Sequence, residues 1–143
     1  MVANSKLPVA IHVAVALGCH EDEFVTSEIL ATGIGTNPVV IRRIVGDLSR
    51  AGIVEARRGK CGGARLARPA RDIPLVAIYR AIDGGGPFCM PKPGNAACYV
   101  ARCMPGIVGD LLGDIDQAIA DTLKRYTVAD LIERVEHTTS ATS

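Results

Sequence analysis

Between Arg42 and Arg71 the chain carries nine Arg or Lys side chains against two acidic ones. Cations at that density suit one kind of chemistry. They neutralise phosphates, and arginine grips paired acceptors in a bidentate fashion. The overall charge of +1 conceals this asymmetry. Residues 1–71 hold ten Lys or Arg against six Asp or Glu, whereas residues 72–143 hold six against nine. A basic block joined to an acidic half fits a nucleic-acid-contacting head with a non-contacting tail, although a solvated basic face has the same composition. The other reactive groups are five cysteines, at 19, 61, 89, 98 and 103. An odd number of thiols without a secretory leader does not suggest a disulfide framework, which leaves free thiols, metal or cluster ligands, or redox sensors. A cysteine-nucleophile enzyme finds no support: there is no Cys-x-x-Cys and no recognisable Cys–His arrangement.

The elements that would position the basic groups can be read from spacing. With 48% apolar residues but only three Tyr, two Phe and no Trp, the core has to be aliphatic. No apolar run approaches the roughly 20 residues needed to span a bilayer. The run Leu7–Leu17 contains His12 and has no cleavage-like sequel, so it reads as a first helix, and a cytoplasmic location is expected. Thr26 is an N-cap for a short helix over Ser27–Thr32, followed by a connection marked by Gly33 and Gly35. Asn37-Pro38 combines an N-cap with proline at the first helical position. The helix it opens runs through Ala51, with Ile41, Ile44, Val45 and Leu48 on one face and Gly52 at its end. Ile53–Arg57 then alternates as a strand, Gly59–Gly63 turns the chain, and Ala64–Ala67 returns. A glycine-rich basic hairpin directly after a helix-turn-helix reads as a wing, and the order of elements is the stronger part of that reading.

Residues that reach base edges belong near the recognition helix's amino end, which nominates Thr36, Asn37, Val39, Arg42 and Arg43. Asn37 reads equally well as a cap alone. Arg58 and Lys60 at the wing could reach an adjacent minor groove, where narrow A·T tracts concentrate negative potential. Arg57 and Arg65 read as phosphate contacts or as solvated strand charges. Pro74–Ile82 reads as another helix, residues 83–97 are too rich in Gly and Pro for regular structure, and Pro105–Tyr126 forms the longest periodic segment. Val108, Leu111, Leu112, Ile115 and Ile119 recur there every three or four residues. Such a helix can pack on its own head or pair with a second copy. Paired recognition helices about 34 Å apart can read a palindrome, which favours the dimer.

The stretch NPVVIRRIVGDLSRAGIVEARRGKCGGARLARP resembles the helix-and-wing signature of the IscR/NsrR-type regulators, the Rrf-two family. The similarity extends to IPLVAIYRAI, a cysteine-bearing loop, a long helix and the closing YTVADLIERV. It implies homodimers that usually repress transcription, joined through the long helix, with Arg58 entering the minor groove. It also implies a sensing loop. Family members that carry an iron–sulfur cluster hold it on three cysteines spaced six apart. Here Cys89, Cys98 and Cys103 stand nine and five apart, and counting back from Tyr126-Thr127 puts Gly106 where the last ligand would be. The departure favours the cluster-free branch, which keeps a cysteine like Cys98 in a CYVAR-like setting, where a thiol can be modified and the loop moved. Loop thiolates can still rearrange around iron, and Cys89, Cys98 and Cys103 would then be the ligands. Among the others, Cys19 is expected to be a buried small residue, His12 structural, and Cys61 a wing-tip thiol beside Lys60.

The expectation is thus a mainly α fold with a small β-wing, a winged helix-turn-helix head and a long C-terminal dimerisation helix. Residues 1–82 form the DNA-binding head and 83–104 a cysteine-bearing sensor loop. Residues 105–136 form the dimerisation and closing helices, and 137–143 a disordered tail. The expected partners are palindromic double-stranded DNA and a second copy of the chain, with no membrane partner, no catalysis and no resident cofactor. The competing readings are a cluster-containing sensor of the same fold and a winged-helix protein-interaction module, which the basic wing disfavours.

Overall fold

The computed structural model describes residues 5–82, 88, 92 and 94–142. Six α-helices and one two-stranded sheet follow in the order α1 (Lys6–Cys19), α2 (Ser27–Ile34), α3 (Pro38–Arg50), β1 (Val54–Arg57), β2 (Gly63–Leu66), α4 (Leu75–Ala81), α5 (Tyr99–Leu123) and α6 (Val128–Thr142). A short 3₁₀ turn, Ala70–Asp72, leads into α4. No helix among the described residues is long and apolar enough to cross a membrane.

Local chemistry fixes the two central helices. Thr26 Oγ1 accepts the Ile29 N–H at 3.2 Å, and Asn37 Oδ1 accepts the Val40 N–H at 3.0 Å, so each cap satisfies a donor that its helix cannot. Ile41, Ile44, Val45 and Leu48 are all buried, as their spacing requires. At the other end of α3, Gly52 adopts φ +75°. Its N–H reaches Ser49 O at 3.0 Å, and the Ile53 N–H reaches Leu48 O at 2.9 Å. This paired closure delivers fully buried Ile53 into the core and aims the chain into β1. Ile41, Ile44, Leu48 and Ile53 each contribute about 1.5–3 kcal/mol on burial, an upper estimate that ignores residual structure in the unfolded chain.

The wing is antiparallel, with Val54 opposite Leu66 and Arg57 opposite Gly63. A third segment braces it: Val25 and Ala64 exchange backbone hydrogen bonds, each 2.9 Å long. Gly63 makes the brace possible. It sits at φ +139°, and a Cβ there would lie 2.5 Å from Val25 O. Gly63→Ala is therefore expected to lower stability by about 1–3 kcal/mol, read by chemical denaturation, with the loss centred on the wing. A variant as stable as the parent would show that the brace is dispensable.

Helix α6 belongs to the head. Thr127 and Asp130 cap it reciprocally, and the strand-like step Pro74–Thr127 ties its start to α4 through Leu75 N–Tyr126 O and Val128 N–Ile73 O, both 2.9 Å. The expected disordered tail is corrected: helix continues to Thr142, with the Thr138, Thr139 and Thr142 hydroxyls donating to carbonyls one turn earlier. The expected start at Pro105 is also corrected. Helix α5 begins at Tyr99 and carries Pro105 inside it, so residues 99–104 of the expected sensor loop are helical. Proline at that position marks an interior site lacking one N–H donor, not the first turn.

Candidate nucleic-acid interface

Helix α3 presents two unlike faces. At 100° per residue, its buried quartet occupies one side, and Val39, Arg42, Arg43, Gly46 and Arg50 share the other. Val39 is 54% exposed. Arg42 lies 3.8 Å from Glu28 of α2, a loose pair with both side chains largely solvated. Arg50 is paired with Asp47 on its own helix. Arg43 is exposed and has no ion-pair partner among the described residues. Thr36 and Asn37 lie at the amino end of the helix, as expected, with the Asn37 side chain engaged as the cap.

The wing stands beside this face. A cleft lined by Glu28, Arg42, Arg57, Arg58 and Gly62 separates it from α2 and α3. Arg58, Lys60 and Cys61 are exposed at the tip. The two strand arginines are more restrained than the sequence suggests. The guanidinium carbons of Arg57 and Arg65 lie 4.3 and 4.6 Å from the centroid of the Phe24 ring, and Arg65 also pairs with Glu55 at 3.0 Å. Phe24 precedes the bracing residue Val25, so the stack locks the wing strands to the segment that leads into α2. Sequence reasoning passed over Phe24 because its partners lie 33 and 41 residues away. Arg50 and Glu28 were equally passed over, although the helical phase of Arg42 and Arg43 extends to Arg50.

One thiol departs from expectation. Cys19 is exposed, a correction explained by helical phase: α1 buries Ala10, Val13, Ala14 and Leu17, and it continues through Cys19 on the opposite side. His12 shares that outer side and is also exposed. Cys98 is the residue before α5, and Cys103 lies in its second turn; both are exposed. Cys89 lies outside the described residues.

Helix α5 has only one buried residue, Ala120, in its 25-residue length. Among the described residues, one polar tie holds it to the head. The Tyr79 hydroxyl donates to Asp116 at 2.6 Å, and Arg80 donates to the same carboxylate at 2.8 Å. These two donors hold the Asp116 carboxyl below its ordinary 3.8, while burial and the Asp116 hydrogen bond push the Tyr79 phenol up. Because the folded carboxyl titrates below the unfolded one, the tie stabilises above the ordinary carboxylate value and is lost as pH falls through the folded value. Asp116→Asn is expected to melt earlier than the parent at pH 7, with the gap closing as pH drops below about 4. A gap that persists in acid would contradict the assignment.

Beyond this tie the helix is largely bare on one side. Val100, Met104, Ile107 and Leu111 form a stripe at four- and three-residue spacing, between 41 and 59% exposed. The expected interface residues Val108, Leu112, Ile115 and Ile119 flank it half-buried, and Leu111 lies on the stripe itself at 57%. Because the expected helix started too late, Val100 and Met104 were missed.

Comparison with known proteins agrees with this architecture. The family model described as Rrf2, iron-dependent transcriptional regulator, matches residues 3–134. YwnA of Bacillus subtilis strain 168, named as an HTH-type transcriptional regulator, is 31% identical over 133 residues, covering 92% of this chain and 98% of its own. A solved Lactobacillus plantarum chain described as a transcriptional regulator is 27% identical, with a TM-score of 0.76 and coverage of 93% of this chain and 91% of its own. The T. potens IscR structure, at 22% identity, a TM-score of 0.69 and coverage of 96% and 90%, shares the fold. With a family match spanning nearly the whole sequence and a winged helix-turn-helix head carrying a long helix, the chain belongs to the Rrf2 family of transcriptional regulators.

Proposed function

We propose that the protein is a homodimeric, sequence-specific DNA-binding regulator that represses transcription. The observation that carries this reading is the outward face of α3, where Arg42 and Arg43 flank Val39 beside a wing tip bearing Arg58 and Lys60. In the proposed complex α3 enters the major groove. Arg43 and Arg42 read base acceptors, and Thr36 and the helix start hold phosphate. Arg58 and Lys60 reach the neighbouring minor groove, and Arg57 and Arg65, braced on Phe24, meet flanking phosphates. The α5 stripes of two chains pair, which removes exposed apolar surface and sets the spacing of the two heads.

The family description names iron. Among the described residues no three His, Cys, Asp or Glu side chains are grouped to hold a metal ion, and Cys89 lies outside those residues. Cys98 and Cys103, five residues apart at the start of α5, stand well over a turn from each other. What the exposed thiols do offer is a place for modification beside the pairing stripe. An adduct on Cys98 or Cys103 would alter the start of α5, and through it the spacing of the heads. The test of the DNA reading is a salt titration by fluorescence anisotropy on a duplex selected from a random pool. The expected result is a linear fall of log affinity with log salt, steeper when more cations contact phosphate. Binding that is insensitive to salt, or absent, overturns it.

A further inference from the structure

Helix α3 carries a second kind of reader besides its arginines. Its solvent face spans Arg42 to Arg43 in angle, and its middle line is Val39 followed by Gly46. An isopropyl group that is 54% exposed in the centre of a basic face has no partner in the core, because its neighbour Val40 supplies the core contact instead. About two turns further on, Gly46 adds no side chain to the same line: a Cβ there would meet only the Arg50 guanidinium, at 3.5 Å. The central line is therefore apolar at the amino end and low in profile behind it, while the cations sit to either side. A helix so shaped can seat deeply, with the arginines reaching outward and Val39 meeting the groove floor.

The floor of the major groove presents one apolar group, the C5-methyl of thymine. Resting on the DNA-binding reading above, we infer that Val39 selects a thymine in each half-site through its 5-methyl group. The contact adds specificity by a route the arginines cannot supply, since a guanidinium reads acceptors, not methyls. Gly46 acts as the clearance that lets Val39 reach that depth.

The experiment uses the full chain and a duplex recovered by it from a random-core pool. Each thymine in the recovered site is replaced singly by deoxyuridine, which removes the methyl and leaves pairing and hydrogen-bonding edges unchanged. One position per half-site is expected at which the replacement weakens the parent about fourfold, the effect of one buried methyl-sized group. At that position Val39→Ala is expected to bind thymine and uracil alike. Since Val39 is exposed, the variant should melt like the parent, so a loss of discrimination would not reflect unfolding. Gly46→Leu provides a second reading: it should erase the methyl preference by lifting the helix, with residual salt-dependent binding. If no thymine position is sensitive, or if Val39→Ala is as sensitive as the parent, the methyl contact is wrong while DNA binding stands. If the pool yields no enriched duplex, both this inference and the DNA-binding reading fall.

Discussion

A Leu111→Asp chain is expected to elute as a folded monomer where the parent elutes as a dimer. Leu111 is 57% exposed in the single chain and takes no part in the head's core, so the substitution should leave the melt of one protomer almost unchanged. In the paired helices the same residue enters twice, once from each copy, because an interface with two-fold symmetry repeats every contact. Two carboxylates would then be buried in an apolar seam with no cation to meet them. The expected loss exceeds about 2 kcal/mol, roughly thirtyfold or more in the dimer dissociation constant. Sizing with light scattering measures it directly. A Leu111→Asp protein that remains dimeric would place the interface elsewhere. DNA affinity should fall with the dimer, because one recognition helix alone holds half of the site.

The second large effect concerns Arg43. Arg43→Ala is expected to reduce discrimination against a wrong base by about 1–3 kcal/mol at one position in each half-site. Arg43 is singled out over Arg42 because Glu28 already engages Arg42, at 3.8 Å, and over Arg50 because Asp47 holds that side chain. Arg58→Ala should behave differently. A wing cation contributes mainly through the phosphate field and minor-groove potential, so affinity should fall across all sequences and the salt slope should shrink by about one. The comparison is informative because both residues are exposed arginines; only their places on the fold separate the two outcomes. If both variants lose affinity equally on matched and mismatched duplexes, Arg43 does not read a base.

The head was legible in the sequence because its signals are local. Thr26 and the Asn37-Pro38 pair cap their helices, the quartet Ile41, Ile44, Val45 and Leu48 sets the phase of α3, and Gly52 ends it. Each depends on residues no more than a few positions apart. What the sequence concealed depends on distance or on weak pattern. Phe24 acquires meaning only when the wing folds back and brings Arg57 and Arg65 over its ring. Asp116 looks like one more solvated acid on a long helix until Tyr79 and Arg80 are placed beside it. The start of α5 was misplaced because Pro105 imitates a first-turn proline, and the end of α6 because threonine-rich residues 137–142 carry no apolar period. Cys19 was misjudged through a helix end: once α1 runs two residues past Leu17, its thiol falls on the solvent side.

Two copies of this chain are proposed to present two recognition helices to one DNA site. The symmetry of the site it selects from random duplexes tests that most directly. The expected result is enrichment of an inverted repeat whose half-sites lie about one helical turn apart, roughly 34 Å, occupied by two chains. Enrichment of a single unrepeated element bound by one chain, or no enrichment at all, would contradict it.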